Sequence, residues 1–293
     1  ITLLAAGVIC LGTVGLAAGQ QAPLNELLEQ ARDAGIEQST LEELRSRAEN
    51  RGMSQQELGT VIESAVSLAE NNLPTEHLTQ KALEGLSKGV PAPRIVSYIQ
   101  QVRSSTGQAA RIVDPWMDND GVRRMVDRSG GSVSGPEMRN SMIKVSTMAI
   151  AQDIPAESID RLLSDINDES VLSRTTAPSV VAAISILPDL PGAEQAQTAR
   201  TFVVRALKSG FNTADLQKLP TALNMAQQRS RLPAATILEG VAGQMRGGTP
   251  AAQILQNLFD GNIGGGPAGN VPKGLENVPD QAQGGRNGNG GTI

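Results

Sequence analysis

Gly89-Val90-Pro91-Ala92-Pro93-Arg94-Ile95 reads as the end of one helix joined directly to the start of the next. Gly89 suits the left-handed residue that terminates a helix, because without a Cβ it escapes the steric cost of that conformation. Val90 then acts as a staple, packing back on the finished helix and forward on the new one. Pro91 opens the new helix where its missing N–H and fixed φ cost least, and Ile95 is the first apolar residue to turn inward. The phrase recurs as Gly35-Ile36 with Leu41, Gly52-Met53 with Leu58, Asn72-Leu73-Pro74 with Leu78, and Asp153-Ile154-Pro155 with Ile159. It returns as Gly210-Phe211 with Leu216, Arg231-Leu232-Pro233 with Ile237, and Gly248-Thr249-Pro250 with Ile254. A Leu or Ile follows the staple by five residues in each copy. Where proline is missing, Ser39 with Glu42 and Ser54 with Glu57 predict capping boxes, hydroxyl and carboxylate each satisfying an orphan backbone N–H.

Spacing converts this punctuation into a fold class. Ile36, Met53, Leu73 and Val90 lie 17, 20 and 17 residues apart, and Phe211, Leu232 and Thr249 lie 21 and 17 apart. Two helices with their turns therefore occupy 37 or 38 residues, the range of two-helix repeats that stack because one pair cannot bury its own apolar face. The competing reading is a non-repetitive bundle whose loops share good capping chemistry. The expectation is an all-α protein of short helix-turn-helix pairs, stacked as an α-solenoid-like array or an irregular helical bundle. It resembles tetratricopeptide and HEAT arrays in logic alone, since the tryptophan-containing tetratricopeptide signature is absent.

Along the chain, residues 1–19 carry no charge and end in Ala17-Ala18-Gly19, the pattern of a secretory signal peptide cleaved after Gly19. A retained anchor is the alternative, although the stretch is short for a span and rich in Gly and Ala. Cys10 is the single cysteine; a bulky Ile9 precedes it, which disfavours a lipoprotein site, and the mature chain would have neither disulfide nor thiol chemistry. Residues 20–103 read as N-terminal helical repeats and 137–260 as C-terminal ones. Between them, 104–136 breaks the periodicity at Ser104-Ser105-Thr106-Gly107 and again at 129–136, with a short helix expected around Val122 to Val126. Pro178 to Leu187, apolar almost all round, predicts an interior helix, and Pro220 predicts a kink or a very short helix. Residues 261–293, dominated by Gly and Asn, read as a disordered tail with too little apolar surface to offset the entropy of ordering.

Most chemistries find no seat. The lone His77, expected as an exposed first-turn residue, can assemble neither a multi-histidine zinc site nor a histidine-paired nucleophile. No GxxxxGK[ST] or strand-to-helix GxGxxG occurs, so no nucleotide cofactor is expected. Asp118-Asn119-Asp120-Gly121 with Asp127 resembles part of an EF-hand, but Trp116 would occupy the first ligand position, and a simple Asp/Asn-Gly turn explains it better. Glu157, Asp160, Asp165, Asp168 and Glu169 leave carboxylate chemistry open, although dipole-complementing helix-start acids explain the first two. The net charge of −5, with no cationic face, argues against nucleic acid. Three Phe, one Tyr and one Trp are too few to line a saccharide cleft.

The functional expectation is an exported, periplasmic or secreted, non-catalytic scaffold that binds a protein partner. It has no cofactor or metal and no membrane span after signal cleavage, and a homo-oligomer is allowed. Two alternatives stand: an envelope enzyme of the cell-wall hydrolase type using paired carboxylates, and a structural or self-assembling envelope component. The candidate binding site lies in the non-repeating segment: Arg111, Trp116, Met117, Arg123, Arg124 and Arg128. Trp, Met and Arg are enriched at interfaces; the competing role for Trp116 is to plug the joint between two helical halves.

Overall fold

A computed structural model describes residues 23–129, 133–191 and 196–263. The expected leader at 1–19 and the tail beyond residue 263 lie outside the described residues. Fourteen α-helices and one 3-10 turn, with no strand, make up the described residues. In the first half these are α1 (Leu24–Asp33), α2 (Gln38–Asn50), α3 (Gln55–Glu70), α4 (Glu76–Ser87), α5 (Ala92–Met117), α6 (Asp120–Arg128) and α7 (Gly135–Ala151). The second half adds α8 (Ala156–Ile166), α9 (Glu169–Leu172), α10 (Ala177–Ser185), α11 (Ala196–Lys208), α12 (Thr213–Ser230), α13 (Ala234–Arg246) and α14 (Ala251–Asp260). None of them is long and apolar enough to cross a membrane.

The helix stops work by one backbone device. Gly35, Gly52, Asn72, Gly89, Asp153, Gly210, Arg231 and Gly248 all have positive φ, from 54° to 86°, and Gly261 adds a ninth stop at 79°. At most of them the residue after the stop returns its N–H to a carbonyl five residues back. Ile36 bonds Ala31 at 2.9 Å, Met53 bonds Ala48 at 3.0 Å, Leu73 bonds Leu68 at 2.9 Å and Phe211 bonds Ala206 at 3.1 Å. This is the Schellman arrangement, which satisfies carbonyls the helix leaves over. Arg231 instead donates its own N–H to Gln227 O at 2.9 Å, the simpler left-handed cap. The Leu or Ile five residues past each staple is buried in every copy, from Leu41 to Ile254.

Helices then stack in two layers. The first helix of each pair packs on the first helix of the next, giving the series α1, α3, α5, α7, α10, α12, α14. The second layer runs α2, α4, then α8, α11, α13, with α5 touching both α4 and α8. The chain is therefore an all-α array of stacked helix pairs. As expected, α10 is nearly all buried, between α7 and α12.

Several local expectations change. Ser104-Ser105-Thr106-Gly107 is not a break, because α5 runs through it for 26 residues. Its small and hydroxyl side chains sit where α5 meets α7: Ser105, Thr106, Ser146 and Thr147 are buried, and the hydroxyls of Thr106 and Thr147 bond back to Val102 O and Ile143 O, both at 2.8 Å. Small residues that favour a loop in isolation allow close helix contact here. Thus α5 joins two hydrophobic clusters, Ile95, Ile99 and Val102 belonging to the N-terminal one and Ala109, Val113 and Trp116 to the C-terminal one. The Ser54–Glu57 capping box is present, whereas α2 already begins at Gln38, so Ser39 lies inside its first turn and cannot cap. Capping boxes not anticipated occur at Ser134–Glu137 and Asn212–Asp215. Pro91, Pro155, Pro233 and Pro250 occupy the N-cap itself, one residue earlier than expected. Pro220 does not split α12, which continues to Ser230.

Gly52 and Gly107 test this description. Gly52→Val should cost on the order of 1 kcal/mol or more, because a β-branched residue is strained at φ 68°. Gly107, inside α5 with nothing within 4 Å of an added Cβ, should tolerate alanine and gain about 0.5–1 kcal/mol. Urea titration of both variants checks this; a destabilised Gly107→Ala would contradict a continuous α5.

Candidate functional site

The six residues singled out in sequence divide between the core, α5 and α6. Trp116 is 5% exposed in the C-terminal core, and its indole Nε1 donates to Leu163 O at 3.1 Å near the end of α8. It packs within the C-terminal cluster and turns almost no area outward. Met117 is half-buried against the same cluster. Arg123 reaches Asp118 at 3.1 Å and Asp120 at 3.7 Å, all strongly exposed, pairs of little energetic weight. Arg124 is exposed. Arg128 donates to Leu172 O at 2.7 Å, capping the C-terminal end of α9. Asn119 caps α6 by accepting from Gly121 N at 2.8 Å, so the Asp118 to Gly121 stretch is a helix start. No group of three acidic, histidine or cysteine side chains able to hold a metal occurs among the described residues.

Arg111 lines a sizeable groove. It lies with Arg103 on α5, facing Ser67, Asn71 and Leu73 from α3 and its following turn, in a groove of about 850 Å³. Gly107 and Ala110 keep the α5 wall low, and Gln108 and Ser104 add polar groups. One end is fastened by Arg139 of α7, whose guanidinium meets both oxygens of Asp114 at 2.7 and 3.0 Å and donates to Asn72 O at 2.9 Å. Asp114 is thereby neutralised, while Arg103 and Arg111 are exposed and have no acidic partner among the described residues. Arg103 was missed because the expected break at Ser104 separated it from Arg111, whereas α5 is continuous and sets the two about two turns apart.

Several other acidic groups are engaged in local bonds and ion pairs. Hydrogen bonds from the Ser54 side chain and backbone hold Glu57 below the usual carboxylate range, and those of Ser134 do the same for Glu137. Asp168 is lowered chiefly by bonds from Ser170, and it stands 3.6 Å from Lys208. Glu157 pairs with Arg161, and Asp165 with Arg200 at 3.2 Å.

His77 departs from expectation: it is 8% exposed, because α4 turns its first-turn side chain inward. Burial, and then the charges of Lys81 and Lys144, push its pKa below 6.5, with Glu84 opposing. Its folded pKa lies below the unfolded one, so the unfolded chain takes up the proton first as pH falls. Stability fully present above 6.5 is lost progressively as pH falls from there through the lower folded value. The melting midpoint should therefore be lower at about pH 5.5 than at about pH 7.5, and His77→Gln should flatten that difference. An unchanged slope in His77→Gln would assign the effect elsewhere.

No protein-family model, curated protein or solved structure matches this chain significantly.

Proposed function

We propose that this chain is an exported, non-catalytic scaffold that holds a protein partner, and that the groove between α3 and α5 is where it does so. The observation that carries the reading is the pair Arg103 and Arg111, along one wall and in no ion pair among the described residues, in a net acidic chain. Exposed cations held on a rigid helix favour an acidic face or segment of a partner and speed its encounter. Stacked helix pairs offer such extended surfaces as a matter of architecture. The partner acts in the periplasm or outside the cell, as the leader implies.

The test is capture of interacting proteins from envelope extracts with the parent chain and with Arg103→Glu/Arg111→Glu. The parent should retain a partner that the double variant loses at an unchanged melting midpoint, with binding that weakens steeply as salt rises. Equal capture by both proteins would remove the groove from consideration. Hydrolysis of cell-wall polymer by the purified chain would replace the scaffold reading altogether.

A further inference from the structure

The α4–α5 turn, where the helix-joining phrase is clearest in sequence, is also where its packing departs from pattern. Val90 makes the backbone bond, its N–H meeting Gly85 O at 3.0 Å, yet its side chain is 37% exposed. The equivalent Ile36, Met53, Ile154 and Phe211 are all buried. Among the described residues the exposed large hydrophobics are Val90 and Tyr98, at 38%. Both line one groove of about 370 Å³ between α4 and α5.

Its floor and rim have different chemistry. Gly85 and the buried Ile95 lie at its base, and a Cβ on Gly85 would stand 3.0 Å from Ile95, so the glycine lets α4 and α5 approach closely there. The rim is cationic. Lys81 and Lys88 share Glu84, at 2.7 and 2.5 Å, and bonds from Lys81 and then Lys88 hold that carboxylate at about 2. Two lysines on one acid leave a surplus positive charge, and Arg94 adds another without an acidic partner among the described residues. Arg51 lies alongside, donating to Ser87 O at 2.9 Å. In a chain of net charge −5, this is a local reversal of sign around an apolar slot.

We infer that the groove of Val90, Tyr98, Lys88 and Arg94 is a second docking site, taking a short acidic peptide segment of a partner protein that inserts an aliphatic side chain between its carboxylates. Concavity favours an inserted side chain, and the rim sets the sign of its neighbours by charge complementarity. The site is separate from the Arg103–Arg111 groove. Arg94 and Arg103 are nine residues apart, about two and a half turns, and so point from opposite faces of α5.

Tyr98 is the single tyrosine, so fluorotyrosine incorporation places one ¹⁹F reporter in the groove of the full chain. Three capped synthetic peptides serve as probes: alternating leucine and glutamate, the same with glutamine for glutamate, and the same with serine for leucine. The first should shift the ¹⁹F signal saturably, and each of the others should bind about tenfold more weakly or worse. Arg94→Glu and Val90→Asp should each weaken the first peptide by about tenfold, while Arg111→Glu should leave it unchanged. The inference is overturned if the glutamine peptide binds equally, if Arg94→Glu has no effect, or if Arg111→Glu weakens binding as much. A shift that appears on raising protein concentration alone would mean self-association instead. One produced by phosphatidylglycerol vesicles and not by peptide would mean a lipid surface. Loss of this site leaves the Arg103–Arg111 capture result standing, and the converse also holds.

Discussion

Trp116→Ala should lower the unfolding free energy by about 3–5 kcal/mol, the cost of emptying a large aromatic site that cannot fully collapse. Trp116 sits in the last turn of α5 among the C-terminal core residues, and its indole donates to Leu163 O. That carbonyl also accepts the Asn167 N–H at 3.1 Å, so the dominant loss is packing and not an orphaned acceptor. Far-UV circular dichroism during urea titration gives the value without relying on the deleted fluorophore. Trp116→Phe, which keeps most of the ring, should recover more than half of the loss. A variant that unfolds like the parent yet fails to bind a partner would return Trp116 to an interface role. The position of α5 sharpens the expectation: it enters one hydrophobic cluster with Ile95, Ile99 and Val102 and the other with Val113 and Trp116. Amide exchange should therefore accelerate first in α8 and the second half of α5, with α1 and α3 less affected.

Gly240→Ala should cost on the order of 2–4 kcal/mol, combining overpacking with the loss of a buried hydrogen bond. An added Cβ would stand 2.5 Å from Ile263 Cγ2 and 2.8 Å from the Ile263 carbonyl oxygen; backbone on the far side cannot simply rotate away. Ile263 is buried, and its carbonyl accepts from Gln244 Nε2 at 2.9 Å, while Gln244 Oε1 accepts from Asn257 Nδ2 at 2.9 Å. This short network fastens the chain across α13 and α14 just after the Gly261 stop. Ile263→Gly should destabilise the parent but cost less in the Gly240→Ala background, because the Cγ2 clash is then gone while the carbonyl clash remains. Additive effects of the two substitutions would show that they do not meet.

What the sequence determined alone is the punctuation. A left-handed stop, a capped start and an inward Leu or Ile five residues past the staple are local requirements of backbone sterics and hydrogen bonding, so they can be read without knowing the neighbours. Even the substitutes were legible, since Asn72, Asp153 and Arg231 adopt the left-handed conformation where glycine is absent.

Tertiary structure decided whatever depends on a facing element. Ser105, Thr106 and Gly107 carry the composition of a loop, and the approach of α7 makes helix of them. His77 and Ile263 are buried because other helices happen to cover them, whereas Val90, in the clearest copy of the phrase, is left uncovered. The candidate binding residues divided for the same reason. Nearness in sequence placed Trp116 beside Arg111, but a helix distributes successive side chains around its axis, sending the first into the core and the second into a groove with Arg103.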